Sequence, residues 1–174
     1  PALGLGYKDL ASGNPGLIVC SLTPFGQTGP WRDYLTCDLA HLAAGGQMAS
    51  SGYDADDVAD APPIAPGGGN AWHIGSHYAY MGIMAALFYR DASGEGQYID
   101  ASVHEACALT TEMHVNTYIY QGQVVRRQTG RHAAATPTPL SQLRCKDGKY
   151  VNASAARVTL RLFPALVEWM DSHG

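Results

Sequence analysis

The sequence predicts an α/β architecture over most of its length and the start of a separate α+β module at its end. Three observations predict it. Residues 17–22 (LIVCSL) are a short, nearly continuous apolar run between turn signals, the pattern of a strand buried on both faces in a parallel sheet. A long helical pattern over residues 73–90 leads, through a turn, to a second strand-like run at 97–101. Near the end, two strand-like stretches flank Lys146-Asp147-Gly148, and Asp-Gly between strands is a strong hairpin signal.

Each element has a local reason. Residues 7–12 read as a short helix, stopped by the Gly-Asn-Pro-Gly cluster at 13–16. After the first strand comes TPFGQTGP at 23–30, a Gly/Pro loop beyond a strand's carboxyl end, where ligands bind in open α/β sheets. Residues 38–48 read as a helix capped by Asp38 or Thr36, with Gly45-Gly46 near its end. A polar, Pro/Gly-rich segment spans 50–70. In the helix at 73–90, Gly75, Ala79, Gly82, Ala85 and Ala86 alternate with large apolar residues, which suits close packing against a sheet. DASGEG at 91–96 makes a turn, and QYIDA at 97–101 a strand. Ser102 then caps a helix running to about residue 120, with Glu105 at capping-box spacing. Residues 122–139 are polar and extended, and Arg126, Arg127 and Arg131 cluster there. Strands at 140–145 and 149–153 precede a last helix at 156–170, which Pro164 is expected to kink.

Composition removes several function classes. With 46% hydrophobic and 15% charged residues, the chain is not a charge-solvated disordered segment. Its 174 residues are near the size of one domain, and such a domain hides roughly 70% of its unfolded surface. The net charge is −4 and the eleven Lys and Arg are scattered, so no basic face for nucleic acid is expected. No apolar run approaches the roughly 20 residues that span a bilayer. The four cysteines, Cys20, Cys37, Cys107 and Cys145, form no CxxC pair and read as reduced thiols of a cytoplasmic protein. The chain begins at Pro1 with no initiator Met, so a fragment of something longer is an open reading.

Candidate chemistry is sparse. The acidic run DADDVAD at 54–60 lacks the central Gly and terminal Glu of an EF-hand and reads as a solvated loop. His73 and His77 share a helix face at metal-binding spacing, but Ile74 stands where a metalloprotease carries Glu, and no metal site is expected. Glu105 is either a helix cap or a carboxylate base or nucleophile. Asp100 could be a paired acid or point outward. Gly67-Gly68-Gly69 precedes a helix, a weak anion-site signal. No GxSxG or P-loop pattern occurs.

Four sets of residues together resemble a known family. They are Leu5-Gly6-Tyr7-Lys8-Asp9-Leu10 with Asn14-Pro15-Gly16-Leu17-Ile18, and Phe25-Gly26-Gln27-Thr28-Gly29-Pro30 with Asp38-Leu39. Next come Met81-Gly82-Ile83-Met84-Ala85-Ala86-Leu87 with Gly94-Glu95-Gly96-Gln97-Tyr98-Ile99-Asp100-Ala101-Ser102, and then Asp147-Gly148-Lys149-Tyr150. In order and spacing this set resembles the family III CoA-transferases, the CaiB/BaiF family. The resemblance implies part of a doubly wound Rossmann-like large α/β domain, residues 1–138, followed by the start of a small α+β domain, residues 139–174. It also implies a piece of a longer chain, since family members are longer, and an interlocked homodimer or a heterodimer.

The implied activity moves CoA between carboxylic acids, with coenzyme A handled as a substrate thioester and no metal. An aspartate attacks the acyl-CoA thioester to give a mixed anhydride and CoA thiolate. The thiolate attacks that anhydride to leave an enzyme-bound CoA thioester, from which an acceptor carboxylate takes the CoA. Counting back from Met81-Gly82-Ile83 places Trp72 at that aspartate's position. Related racemases carry a His where Cys37 stands, and a glycine loop of some transferases would fall at 133–137, where glycines are missing. The candidate catalytic residues are therefore Glu105 and His73. Leu35, Thr36, Cys37 and Trp72 match the family's CoA-pocket positions. A non-transferring acyl-CoA-binding relative, or one subunit of a heterodimer, is the alternative reading.

Overall fold

The computed structural model describes residues 3–54, 56–152 and 162–174. Its elements run α1 (Tyr7–Ala11), β1 (Val19–Thr23), α2 (Asp38–Ala44), a 3-10 turn (Gln47–Ala49), α3 (Asn70–Ser93) and β2 (Tyr98–Ser102). There follow α4 (Val103–Leu109), α5 (Glu112–Gln121), β3 (Gln142–Arg144), β4 (Tyr150–Asn152) and α6 (Phe163–His173). The chain clusters into two compact units: residues 1–49 with 64–115, and residues 50–63 with 116–174.

In the first unit, β1 and β2 pair in parallel, with Val19 opposite Tyr98 and Thr23 opposite Ser102. Parallel neighbours need a long crossover, and α2 and α3 lie on it. The expected strand at 17–22 starts two residues late. The Leu17 N–H closes a turn onto the Asn14 carbonyl, so the ladder opens at Val19, whose N–H reaches the Gln97 carbonyl at 3.1 Å. The expected burial on both faces is not met: four of the five β1 residues are half-buried and Leu22 is exposed. Among the described residues the sheet has only these two strands, so one edge of β1 and much of its surface have nothing laid over them.

The helix α3 packs through its small residues. Ala71, Gly75, Ala79 and Ala86 are buried along one stripe. A Cβ on Gly75 would come within 2.9 Å of Val103 Cγ2, and one on Gly82 within 3.4 Å of Ile99 Cγ2, so α3 lies close on both α4 and β2. Leu42, Ala71, Val103 and Cys107 form the core cluster, with Met48, Ala65 and Ile74 against it. Burial pushes the Cys107 thiol above its ordinary pKa.

Two local expectations are corrected. Neither Asp38 nor Thr36 caps α2. Cys37 is its N-cap, in extended geometry and with no side-chain bond. The Asp38 carboxylate instead accepts the Ala71 N–H at 2.8 Å, capping α3 thirty-three residues away in sequence. The single helix expected from residue 103 to 120 is two. Ser102 Oγ accepts the Glu105 N–H at 3.2 Å as expected, but the Thr110 and Thr111 hydroxyls bond back to the Cys107 and Ala108 carbonyls at 2.7 Å each. Hydroxyls at those positions compete with the helical ladder and divide α4 from α5.

In the second unit, β3 and β4 form the expected antiparallel hairpin. Gly148 adopts φ 82°, the left-handed region that glycine enters without strain, and its N–H bonds the Cys145 carbonyl at 3.0 Å. Ala153, expected as the end of β4, lies outside the described residues, as do residues 156–161 of the expected last helix. Where that helix is described, Pro164 sits in the first turn of α6 rather than kinking it. There its missing N–H has no intrahelical partner to lose. The 122–139 segment, expected to be extended, folds back on itself through an antiparallel bridge between Arg126 and Ala134, with turns in between.

Candidate functional site: a histidine and aromatic cluster at the strand ends

The carboxyl ends of β1 and β2 and the amino end of α3 converge in the first unit. The loop after β1 is held there by Asp100 of β2, whose Oδ2 accepts the Gln27 N–H at 2.9 Å. Gly26 turns the chain at φ 80°, and a Cβ there would sit 3.6 Å from the same oxygen. The Gln27 side chain also donates to the Tyr98 hydroxyl, which donates to Ser21 Oγ at 2.9 Å. Asp100, open in the sequence to a paired or an outward reading, is an exposed side chain that anchors this loop.

The anchored loop brings Phe25 onto two imidazoles. The Phe25 ring lies 5.1 Å from His41 of α2 and 5.5 Å from His104 of α4. His104 is fixed by its backbone N–H, which donates to the Pro24 carbonyl at 3.0 Å. Trp31 stands edge-on to Phe25 at 5.9 Å and to His104 at 5.6 Å. Trp72, in the first turn of α3, meets His41 at 5.5 Å. Five rings from four chain segments thus form one patch.

His41 is the electrostatic centre of this patch. It is fully buried, and neither ring nitrogen has a hydrogen-bond partner. Burial lowers its pKa below the ordinary 6.5; the neighbouring His104 lowers it further, and Asp38 partly opposes both. Neutral imidazole is the favoured state, so His41 offers one donor and one acceptor nitrogen to anything that enters. His104 Nδ1 is likewise buried without a partner. The arrangement can pack an apolar or aromatic group on ring faces and hydrogen-bond a carbonyl from an imidazole N–H.

The residues singled out from sequence fall in different places. Trp72 belongs to the cluster and is 39% exposed. Cys37 and Thr36 immediately precede α2, and the Cys37 carbonyl accepts the His41 N–H at 3.2 Å. Leu35 is completely exposed, with no contact to the ring cluster. His73 is exposed on α3, and its carbonyl accepts the His77 Nδ1–H at 2.7 Å. That bond turns His77 toward its own backbone. Glu105 is exposed and lines a separate groove of about 180 Å³ with Tyr78, Asp100, Ser102 and Leu109. The structure therefore does not bring Glu105 onto the Trp72 rings. Among the described residues no group of three or more His, Cys, Asp or Glu could hold a metal ion. No described helix is long and apolar enough to cross a membrane.

Sequence reasoning did not single out His41 or His104. A signal existed for each. His104 follows the carboxyl end of β2, the same kind of position that made the loop after β1 of interest. His41 sits beside Leu42 on the inward side of α2, and a histidine among buried residues is worth asking about. What spacing could not supply was the partners, since Phe25, Trp72 and His104 come from three remote segments.

Comparison with known proteins identifies the family of the chain. The profile of CoA-transferase family III matches residues 1–173. The succinyl-CoA:(R)-benzylsuccinate CoA-transferase subunit BbsE of Thauera aromatica is 32% identical over 99% of this chain and 40% of its own length. The succinyl-CoA–L-malate CoA-transferase beta subunit of Chloroflexus aurantiacus is 35% identical over 96% of this chain and 40% of its own. Among solved structures, a CaiB/BaiF family protein from Brucella suis superposes with a TM-score of 0.71 at 30% identity, covering 86% of this chain and 37% of that one. The chain thus spans about two-fifths of the length of these curated relatives. On the match of nearly its whole length, the chain belongs to CoA-transferase family III.

Proposed function

We propose that the full-length protein moves CoA between carboxylic acids, using an acyl-CoA thioester as donor. The observation that carries this is the family match along residues 1–173. Trp72, and with it Cys37, Thr36 and Leu35, are proposed to border the thioester. The imidazoles of His41 and His104 are suited to hydrogen-bonding its carbonyl. Glu105 is the carboxylate proposed as nucleophile; its groove lies apart from the Trp72 rings, so the thioester has to extend into that groove to be attacked there and to expel CoA thiolate. His73 is the second candidate group. Residues 1–138 are proposed to belong to the large, Rossmann-like domain and 139–174 to open the small one, in a cytoplasmic dimer.

A second reading is favoured by one specific observation. Trp72 has no carboxylate to offer, and it is packed on a fully buried histidine. In this reading the protein binds acyl-CoA and a partner subunit performs the transfer. The relatives named above as a beta subunit and as subunit BbsE support it.

The test measures transfer of CoA from succinyl-CoA to added carboxylic acids by the full-length protein, alone and with Glu105→Gln. Transfer that is lost in the variant supports the first reading. Acyl-CoA binding by calorimetry without any transfer supports the second. Full transfer by Glu105→Gln removes Glu105 as nucleophile.

A further inference from the structure

The arginine cluster noted in the sequence is absorbed by neither reading. It lies in the second unit, around a cavity of about 120 Å³ lined by Asp54, Arg126, Arg127, Arg131, Thr136 and neighbouring backbone. That volume is well above the roughly 10–15 Å³ that one water requires, and it admits a small charged group.

The cavity has a built wall. The Arg126 and Ala134 backbones exchange both N–H···O bonds at 3.1 Å. The buried Gln128 side chain donates to the Thr136 carbonyl at 2.9 Å and accepts the Thr138 N–H at 2.9 Å, bracing the far side. Arg127 is a strut. Its Nε donates to the Tyr53 carbonyl at 2.7 Å and its Nη2 to the Ala61 carbonyl at 3.2 Å.

The other two arginines are not used this way. Arg131 Nε is buried and has no hydrogen-bond partner. Arg126 has an exposed side chain with no ion pair among the described residues, where the recorded pairs are Arg32–Asp33 and Lys149–Asp147. One carboxylate, Asp54, faces three guanidiniums, and its Oδ1 already accepts the Asp56 N–H at 3.1 Å. The cavity therefore carries an excess of positive charge. Planar guanidinium forks match the oxygens of carboxylates and phosphates.

We propose that the cavity among Arg126, Arg127 and Arg131 is an oxyanion-binding site that takes the carboxylate or phosphate group of a small metabolite. Arg126 and Arg131 are its ligands and Arg127 holds its wall. The proposal stands apart from the CoA-transfer reading, because it is measured as binding and needs no turnover.

The experiment is titration calorimetry on the full-length protein with three probes: inorganic phosphate, succinate and adenosine 3′,5′-bisphosphate. At least one probe is expected to bind with a Kd of about 1 mM or tighter. Arg126→Gln and Arg131→Gln are each expected to weaken that probe about tenfold. Loss for phosphate-bearing probes alone assigns a phosphate site, and loss for succinate alone a carboxylate site. Arg126 is exposed, so Arg126→Gln should keep the wild-type melting temperature and decide the matter even if Arg131→Gln does not fold. Equal affinity in wild type and Arg126→Gln for every probe, or no binding of any probe, overturns the proposal.

Discussion

The imidazole of His41 lies against the indole of Trp72, with ring centroids 5.5 Å apart and planes at 81°. The edge-on geometry is the one that ring quadrupoles favour. It places Trp72 in contact with a fully buried histidine that has no hydrogen-bond partner. Two of the expected outcomes below follow from that pairing.

The first concerns pH. Burial and His104 hold His41 below its ordinary 6.5, with Asp38 opposing. In the unfolded chain the same group takes up its proton at the ordinary value, so on acidification the unfolded state is protonated first. Stability is therefore fully present above about pH 6.5 and is lost as pH falls from there toward the folded-state value. Thermal melts between about pH 5 and pH 8 should show this slope, with the window set by that ordinary His value. His41→Leu, which removes the titrating group and both unpartnered nitrogens, should flatten it. An unchanged slope in His41→Leu would place the titration elsewhere.

The second introduces a carboxylate. Trp72→Asp should put a negative charge within reach of His41. An opposite charge at about 4–6 Å favours the imidazolium, so the His41 titration should move upward by about one pH unit or more. The His41 Cε1–H resonance, followed by NMR across pH, reads it directly. A titration that stays in place would mean that the new carboxylate turns to solvent.

Asp38 acts on α3 rather than on the helix it begins. Asp38→Ala removes the acceptor for the Ala71 N–H and should destabilise the fold by about 1 kcal/mol. Asp38→Asn keeps an acceptor oxygen and should lose less. Denaturant melts of the two variants, compared with wild type, separate capping from a loss of charge alone.

Gly75 marks the closest approach of α3 to α4. Gly75→Ala would place a Cβ 2.9 Å from Val103 Cγ2 and 3.3 Å from the Val103 Cα, which is backbone and cannot turn aside. Overpacking of this kind destabilises by about 1–3 kcal/mol, against the small gain in helix propensity from Ala. Ala at the open position Gly67, with nothing within 4 Å, is the control and should change stability little. Chemical denaturation of both variants tests the contrast.

Much of the fold was legible along the chain because its causes are local. The apolar run ending at Leu22, the small-residue stripe from Gly75 to Ala86, the Ser102 cap and the Asp147-Gly148 turn each act within a few residues. The errors lie where two local rules compete. Thr110 and Thr111 fit a helical pattern by position but break it through their hydroxyls. Pro164 suggests a kink only for a helix that starts earlier than α6; in α6 it stands in the first turn.

By itself the sequence determined the family and most of the order of helices and strands. Both are written in residue identity and spacing. Tertiary structure decided what Trp72 touches, that Asp38 caps a helix thirty-three residues away, and that His41 and His104 share one ring cluster. It also separated Glu105 from that cluster, into a groove of its own. The physical reason is that burial and ring contacts are set by segments remote in sequence. Desolvation of an imidazole depends on everything packed around it and on no single neighbour along the chain.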